Sequence, residues 1–133
     1  MTSVVIVADS GTEMARLTAS VSSIRNTQIV RHATGRTSVA TLIARHQPSL
    51  VLIGEMTPRR LTLERLSEVR AMAPGAAVVV VAAEAGSRWL AQALRAGATA
   101  VLPGQVGANA LAAVLQDVLA PNPGGATQVA LAA

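Results

Sequence analysis

The sequence has 133 residues, 51% of them hydrophobic, and a formal net charge of +4. A chain of that length buries a sizeable core as one domain. It has no cysteine, so disulfides, thiolate metal sites and cysteine nucleophiles are excluded. All eleven Lys/Arg positions are arginine, which excludes the Gly-Lys-Ser/Thr of a phosphate-binding P-loop within these residues, and lysine Schiff-base chemistry with it. Trp89 is the only aromatic side chain, too few for a base-stacking nucleic-acid surface. The arginines are scattered, with Arg59-Arg60 the one adjacent pair, and read as solvated surface rather than a nucleic-acid footprint.

The elements follow in chain order. Val4 to Val7 is a continuous apolar run, the pattern of a strand covered on both faces. Ser10 with Glu13 is a capping-box signature, and Met14, Leu17, Val21 and Ile24 then share one face of a helix. Thr27 to Ala33 mixes polar and apolar residues and suits a half-exposed edge strand. Val39, Leu42, Ile43 and His46 mark a second helix, stopped before Pro48. Leu50 to Ile53 is a buried strand. Leu63, Leu66, Val69 and Ala73 mark a third helix, ended by Pro74-Gly75. Val78 to Val81 is a strand, and Leu90, Ala93, Leu94 and Gly97 mark a fourth helix. Ala100 to Leu102 is the last buried strand, and Leu111, Val114, Leu115, Val118 and Leu119 form a fifth helix, stopped before Pro121.

Strand and helix alternate five times. That order predicts an α/β fold, a doubly wound five-stranded parallel sheet of order 2-1-3-4-5 with helices on both faces. Ligands of such sheets bind at the carboxyl ends of the strands where the order reverses. The residues placed there are Ala8, Asp9 and Ser10, and the loop from Gly54 to Pro58. Ala82 and Ala83, and Pro103 and Gly104, flank them. Residues 1–120 make this domain. Residues 121–133 open as a Pro/Gly linker and end in an apolar stretch that reads as the start of a further strand. The longest apolar run, Ala76 to Ala83, is far below the roughly 20 residues a membrane-spanning helix needs. No basic stretch precedes the first apolar run, so a signal peptide is not expected and the expected location is the cytoplasm.

Three segments carry a resemblance. Val4 to Ser10, Pro48 to Pro58, and Ala93 to Leu102 resemble, in order and spacing, the response-regulator receiver domain, the CheY-like fold, across residues 3 to about 120. The resemblance implies a Mg²⁺-dependent phosphorylation site, but its chemistry does not carry over. The phosphoacceptor position, four residues before Pro58, falls on Gly54. The metal-binding acid pair falls on Ala8 and Asp9, the switch Thr/Ser on Ala82 and the family's lysine on Gly104. Glu55 is one residue out of register and reads as a solvent-facing loop carboxylate. His32 and His46 lack ligands at metal spacing, and no Gly-x-Ser-x-Gly elbow supports a hydrolase. No cofactor, metal or enzymatic activity is expected.

The resemblance also implies a docking surface on the fourth helix, fifth strand and fifth helix. There the candidate interaction face is Arg88, Trp89, Gln92, Arg95 and Val101, since Trp and Arg are enriched at interface hot spots. Trp89 lies about 100° round the helix from Leu90, beside the stripe centred on Leu90 and Leu94, and either meets a partner or packs over the sheet edge. The expected function is a pseudo-receiver: a phosphorylation-independent regulatory module for protein–protein interaction, with homodimerisation expected and neither direct nucleic-acid binding nor membrane insertion. The tail, Ala126 to Ala133, is similar to the first strand of a MinD/ParA-type ATPase. That layout is the one of the TadZ/CpaE family, which localises pilus assembly machinery. The alternative is the receiver of an atypical NarL-type regulator of transcription. Each of these two readings places a further domain, an ATPase or a DNA-binding domain, outside this chain; a stand-alone adaptor is the third.

Overall fold

The computed structural model describes residues 2–9, 11–82, 86–103, 108–119 and 129–130. Strands and helices alternate as β1 (Thr2–Ala8), α1 (Gly11–Ser22), β2 (Thr27–Thr34), α2 (Ala40–His46), β3 (Leu50–Gly54), α3 (Arg59–Met72), β4 (Ala77–Ala82), α4 (Ser87–Arg95), β5 (Ala100–Pro103) and α5 (Ala108–Leu119). A two-residue strand, β6 (Val129–Ala130), follows. The hydrogen-bonded order is β2-β1-β3-β4-β5-β6, and every pairing is parallel. The five-stranded order read from the sequence is therefore the observed one. β6 lies within the tail and extends the sheet beyond β5, with Ala100 beside Val129 and Val101 beside Ala130.

The continuous apolar runs have a direct physical cause. Successive side chains of a strand point to opposite faces, and here both faces are dry. Val5 and Val7 of β1, Val51 and Ile53 of β3, and Val78 and Val80 of β4 enter one core layer with Ile43, Leu66, Val69 and Trp89 of α2, α3 and α4. Val4, Ile6, Leu50, Leu52, Val79 and Val81 enter the other, with Leu17 and Val21 of α1 and Leu111 and Leu115 of α5. β2 is half-buried, as its mixed composition requires of an edge. It carries a bulge: Val4 pairs with Ile29 but Val5 with Arg31, so Val30 is the inserted residue.

Two arginines are structural rather than solvated, which corrects the reading of all eleven as surface. Arg65 is 7% exposed on the inner side of α3. Its Nε donates to the Gly35 carbonyl at 2.9 Å and its Nη1 to Glu68 at 3.2 Å. Glu68 in turn accepts the Val39 N–H at 2.9 Å, so α3 holds the loop between β2 and α2. Arg70 donates to Gly97 O from Nε (3.1 Å) and Nη2 (2.6 Å), and from Nη1 to Pro74 O (2.8 Å) and Ala76 O (2.9 Å). Burial pushes its pKa below the ordinary arginine value, and the four charge-assisted bonds offset that cost. Gly97 has φ +116°, and a Cβ there would lie 3.0 Å from Arg70 side-chain atoms, so this turn requires glycine. These clamps fix the N-terminal ends of the strands and the loop before α2, leaving the carboxyl ends to form the site.

Candidate functional site

The carboxyl ends of β1, β3 and β4 converge at the point where sheet order reverses from β1 to β2 on one side and to β3 on the other. Ala8 closes β1 with its side chain in the second core layer. Asp9 follows, with its side chain 17% exposed. Arg36, from the loop after β2, places Nε 3.0 Å from Asp9 Oδ1. The approach lies outside hydrogen-bond alignment, so among the described residues that buried oxygen has a charge partner but no hydrogen bond. Ala82, at the end of β4, is fully buried in the first core layer. Gly104, Ser10 and Ala83 lie outside the described residues.

Gly54 ends β3, and the space beside it is taken. A Cβ built there would lie 2.9 Å from Glu13 Cγ and 3.2 Å from Glu13 Oε1. Glu13 stands in the first turn of α1. Its carboxylate receives a two-point guanidinium contact from Arg16, Nη2 to Oε1 at 2.8 Å and Nε to Oε2 at 3.3 Å. Hence a carboxylate from α1 lies across the position where the resemblance puts the acceptor side chain on β3. Sequence reasoning assigned Glu13 to a helix cap. The signal that finds its second location is the 2-1-3 order: the first turn of the helix after β1 faces the end of β3.

Glu55 is 15% exposed, not solvent-facing as expected. Its N–H continues the strand by donating to Val81 O at 2.8 Å, and its Oε1 accepts from Arg59 Nε at 2.8 Å. The Met56 N–H donates to Thr62 Oγ1 at 2.9 Å, pinning the loop to the first turn of α3. The Thr57–Pro58 peptide is cis. Arg59 then lies over the Trp89 ring, 5.3 Å from its centroid. Around the switch point the carboxylates of Asp9, Glu13 and Glu55 each face an arginine.

This arrangement does not fit a divalent cation of the receiver type. Such an ion needs carboxylate oxygens with phosphate or water completing its shell. Gly54 supplies none, Asp9 faces a guanidinium, and the Glu13 oxygens are held by Arg16. Among the described residues no group of three or more His, Cys, Asp or Glu could hold a metal ion. His32 Nε2 instead lies 3.1 Å from Thr18 Oγ1 at the edge strand.

The interaction face read from the sequence is not one face. Arg88, Gln92 and Arg95 are exposed along α4. Trp89 is 4% exposed in the core layer with Ala93, and Val101 is fully buried there too. The expectation placed Leu90 and Leu94 at the centre of the buried stripe. In the structure they are half-buried, and α4 is rotated so that the larger indole goes inward. Burying the indole removes more apolar area than burying either leucine.

Among the described residues no helix is long and apolar enough to cross a membrane. No protein-family model matches the chain, and no curated protein does. Solved structures do match. A CheX–CheY–BeF₃–Mg²⁺ complex from Borrelia burgdorferi aligns at a TM-score of 0.78 and 19% identity, covering 90% of each chain. The signal receiver domain assigned to the response regulator NarL from Mycobacterium tuberculosis aligns at 0.75 and 20% identity, over 87% of this chain and 94% of that one. A protein assigned to pilus assembly (cpaE) from Burkholderia thailandensis aligns at 0.71 and 20% identity, over 88% of this chain and 97% of that one. With the five-stranded order and the flanking helices, these matches establish that the chain has the CheY-like fold of response-regulator receiver domains.

Proposed function

We propose that the chain is a phosphorylation-independent receiver-like module that acts by protein–protein contact rather than by catalysis, in the cytoplasm, on a second copy of itself or a protein partner. The observation that carries this reading is Glu13 lying across Gly54: the acceptor position has no side chain, and the space for one holds a carboxylate already engaged by Arg16. Asp9 facing Arg36 supports the same conclusion, because a guanidinium stands where a metal would need the carboxylate. On this reading the charge balance that phosphorylation would change is built into the fold.

The finer proposal is that the module localises a pilus assembly ATPase of the TadZ/CpaE type. The similarity to the cpaE protein supports it. The second reading, the receiver of an atypical NarL-type transcription regulator, draws on the match to the NarL receiver. Sedimentation velocity with and without acetyl phosphate and Mg²⁺ tests the shared part. The proposal predicts a concentration-dependent monomer–dimer equilibrium that is unchanged by phosphodonor, and dimerisation that appears only with phosphodonor contradicts it. A fluorescent fusion separates the finer readings: a polar focus supports the pilus assignment, and a nucleoid-associated distribution supports the regulator.

A further inference from the structure

Among the described residues, Arg59 links the loop after β3 to helix α4. Arg59 is the first residue of α3, and its guanidinium reaches in two directions. Nε bonds Glu55 Oε1 at 2.8 Å, and the group lies over the Trp89 ring at 5.3 Å from the centroid. Arg59 is 47% exposed at the side chain, whereas the ring beneath it is almost wholly buried. A cation over an indole face is attracted by the ring quadrupole, and the pull is directional. An indole N–H usually finds a hydrogen-bond partner when buried. Among the described residues Trp89 Nε1 has none, so no hydrogen bond from them sets the ring's orientation. Packing and the guanidinium are left to do so.

The seating of α4 depends on this ring. The helix is nine residues long, and its fully inward side chains are Trp89 and Ala93. Ala93 is small, and Leu90 and Leu94 are only partly buried against the same layer, so Trp89 is the largest wholly inward side chain of the helix. Ala82, at the switch position, has no hydroxyl with which to reach toward α4. We propose that Arg59 is a positioning residue that couples the loop after β3 to α4, through Glu55 on one side and the Trp89 ring on the other. The exposed row Arg88, Gln92 and Arg95 on α4 is thereby held in one orientation. A ligand or partner that draws the Glu55 carboxylate off Arg59 releases α4 without any phosphoryl group. This coupling does not depend on which partner the module binds.

Trp89 is the sole Trp of a chain with no Tyr or Phe, so the fluorescence of the chain reports the surroundings of this ring. The test compares Arg59→Gln, Arg59→Lys, Glu55→Gln and the control Arg60→Gln, whose partner is Glu64 on the solvent side of α3. Acrylamide quenching of Trp89 and the amide chemical shifts of Ser87–Arg95 are read on the intact chain, with far-UV circular dichroism confirming the fold. Arg59→Gln should raise the quenching constant about twofold and shift the α4 amides, because the cation over the ring is lost. Arg59→Lys should restore most of both, and Glu55→Gln should move both in the same direction by less. If Arg59→Gln leaves the α4 amides and the quenching constant unchanged, the proposal fails. It also fails if Arg59→Lys departs from the native protein as far as Arg59→Gln does, or if Arg60→Gln gives an equal effect.

Discussion

Restoring an acidic side chain at the acceptor position should destabilise this protein, and the cause should be Glu13. In Gly54→Asp the new Cβ meets Glu13 Cγ at 2.9 Å and Oε1 at 3.2 Å, so the two carboxylates are driven to within about 4 Å unless Glu13 moves. Two like charges at about 4 Å repel by about 4 kcal/mol at an effective dielectric constant of about 20. The Glu13 side chain is 26% exposed and shares Arg16, which together reduce the penalty to about 2–3 kcal/mol. Gly54→Ala adds only the Cβ, which displaces a flexible side chain, and the stiffer unfolded chain offsets that by about 0.4–1 kcal/mol. It should therefore remain within about 1 kcal/mol of the native protein. The assay is urea unfolding followed by Trp89 fluorescence, on a double-mutant cycle of Gly54→Asp and Glu13→Ala. A coupling energy of about 2 kcal/mol is expected, with the double variant more stable than Gly54→Asp alone. A Gly54→Asp protein as stable as the native one, or a coupling below about 0.5 kcal/mol, refutes the placement of Glu13 over the site.

Two further outcomes follow from packing. Arg70→Ala removes four bonds to the carbonyls of Gly97, Pro74 and Ala76 and should lower the unfolding free energy by about 2–3 kcal/mol, seen as a lower urea midpoint with an unchanged slope. Trp89→Ala opens the first core layer and should cost about 3–5 kcal/mol, measured by thermal unfolding followed by circular dichroism; a fully stable variant would return Trp89 to the surface.

The parts of the fold that depend on local pattern were legible, and those that depend on distant elements meeting were not. Val4 to Val7 and Leu50 to Ile53 announce strands covered on both faces, and their alternation between two core layers is why no polar residue interrupts them. The mixed run from Thr27 places β2 at an edge. The bulge at Val30 is not legible, because an inserted residue leaves no mark in so short an apolar pattern. Asp9 and Gly54 were found because strand ends in a parallel sheet are fixed by chain order. Glu13 and Arg36 were not. Each joins the site through the neighbouring order of β2, β1 and β3, a property of the sheet rather than of either segment. The structural roles of Arg65 and Arg70 are hidden in the sequence for a related reason. An arginine on an inner helical position is tolerated where backbone carbonyls converge on it, and those carbonyls belong to other loops. In the apolar pattern two leucines outweigh one indole and put Trp89 beside the stripe, while the packed structure favours the larger ring.

The central claim is that the site is closed to phosphoryl chemistry by its own side chains. The most direct test is an amide NMR titration of the chain with beryllofluoride and Mg²⁺. The account predicts a spectrum that does not change, since Gly54 offers no carboxylate and Glu13 and Asp9 face Arg16 and Arg36. Saturable shifts clustered on Asp9, Glu13, Gly54 and Glu55 would contradict it and show that a metal and a phosphoryl mimic still find a place at the end of β3.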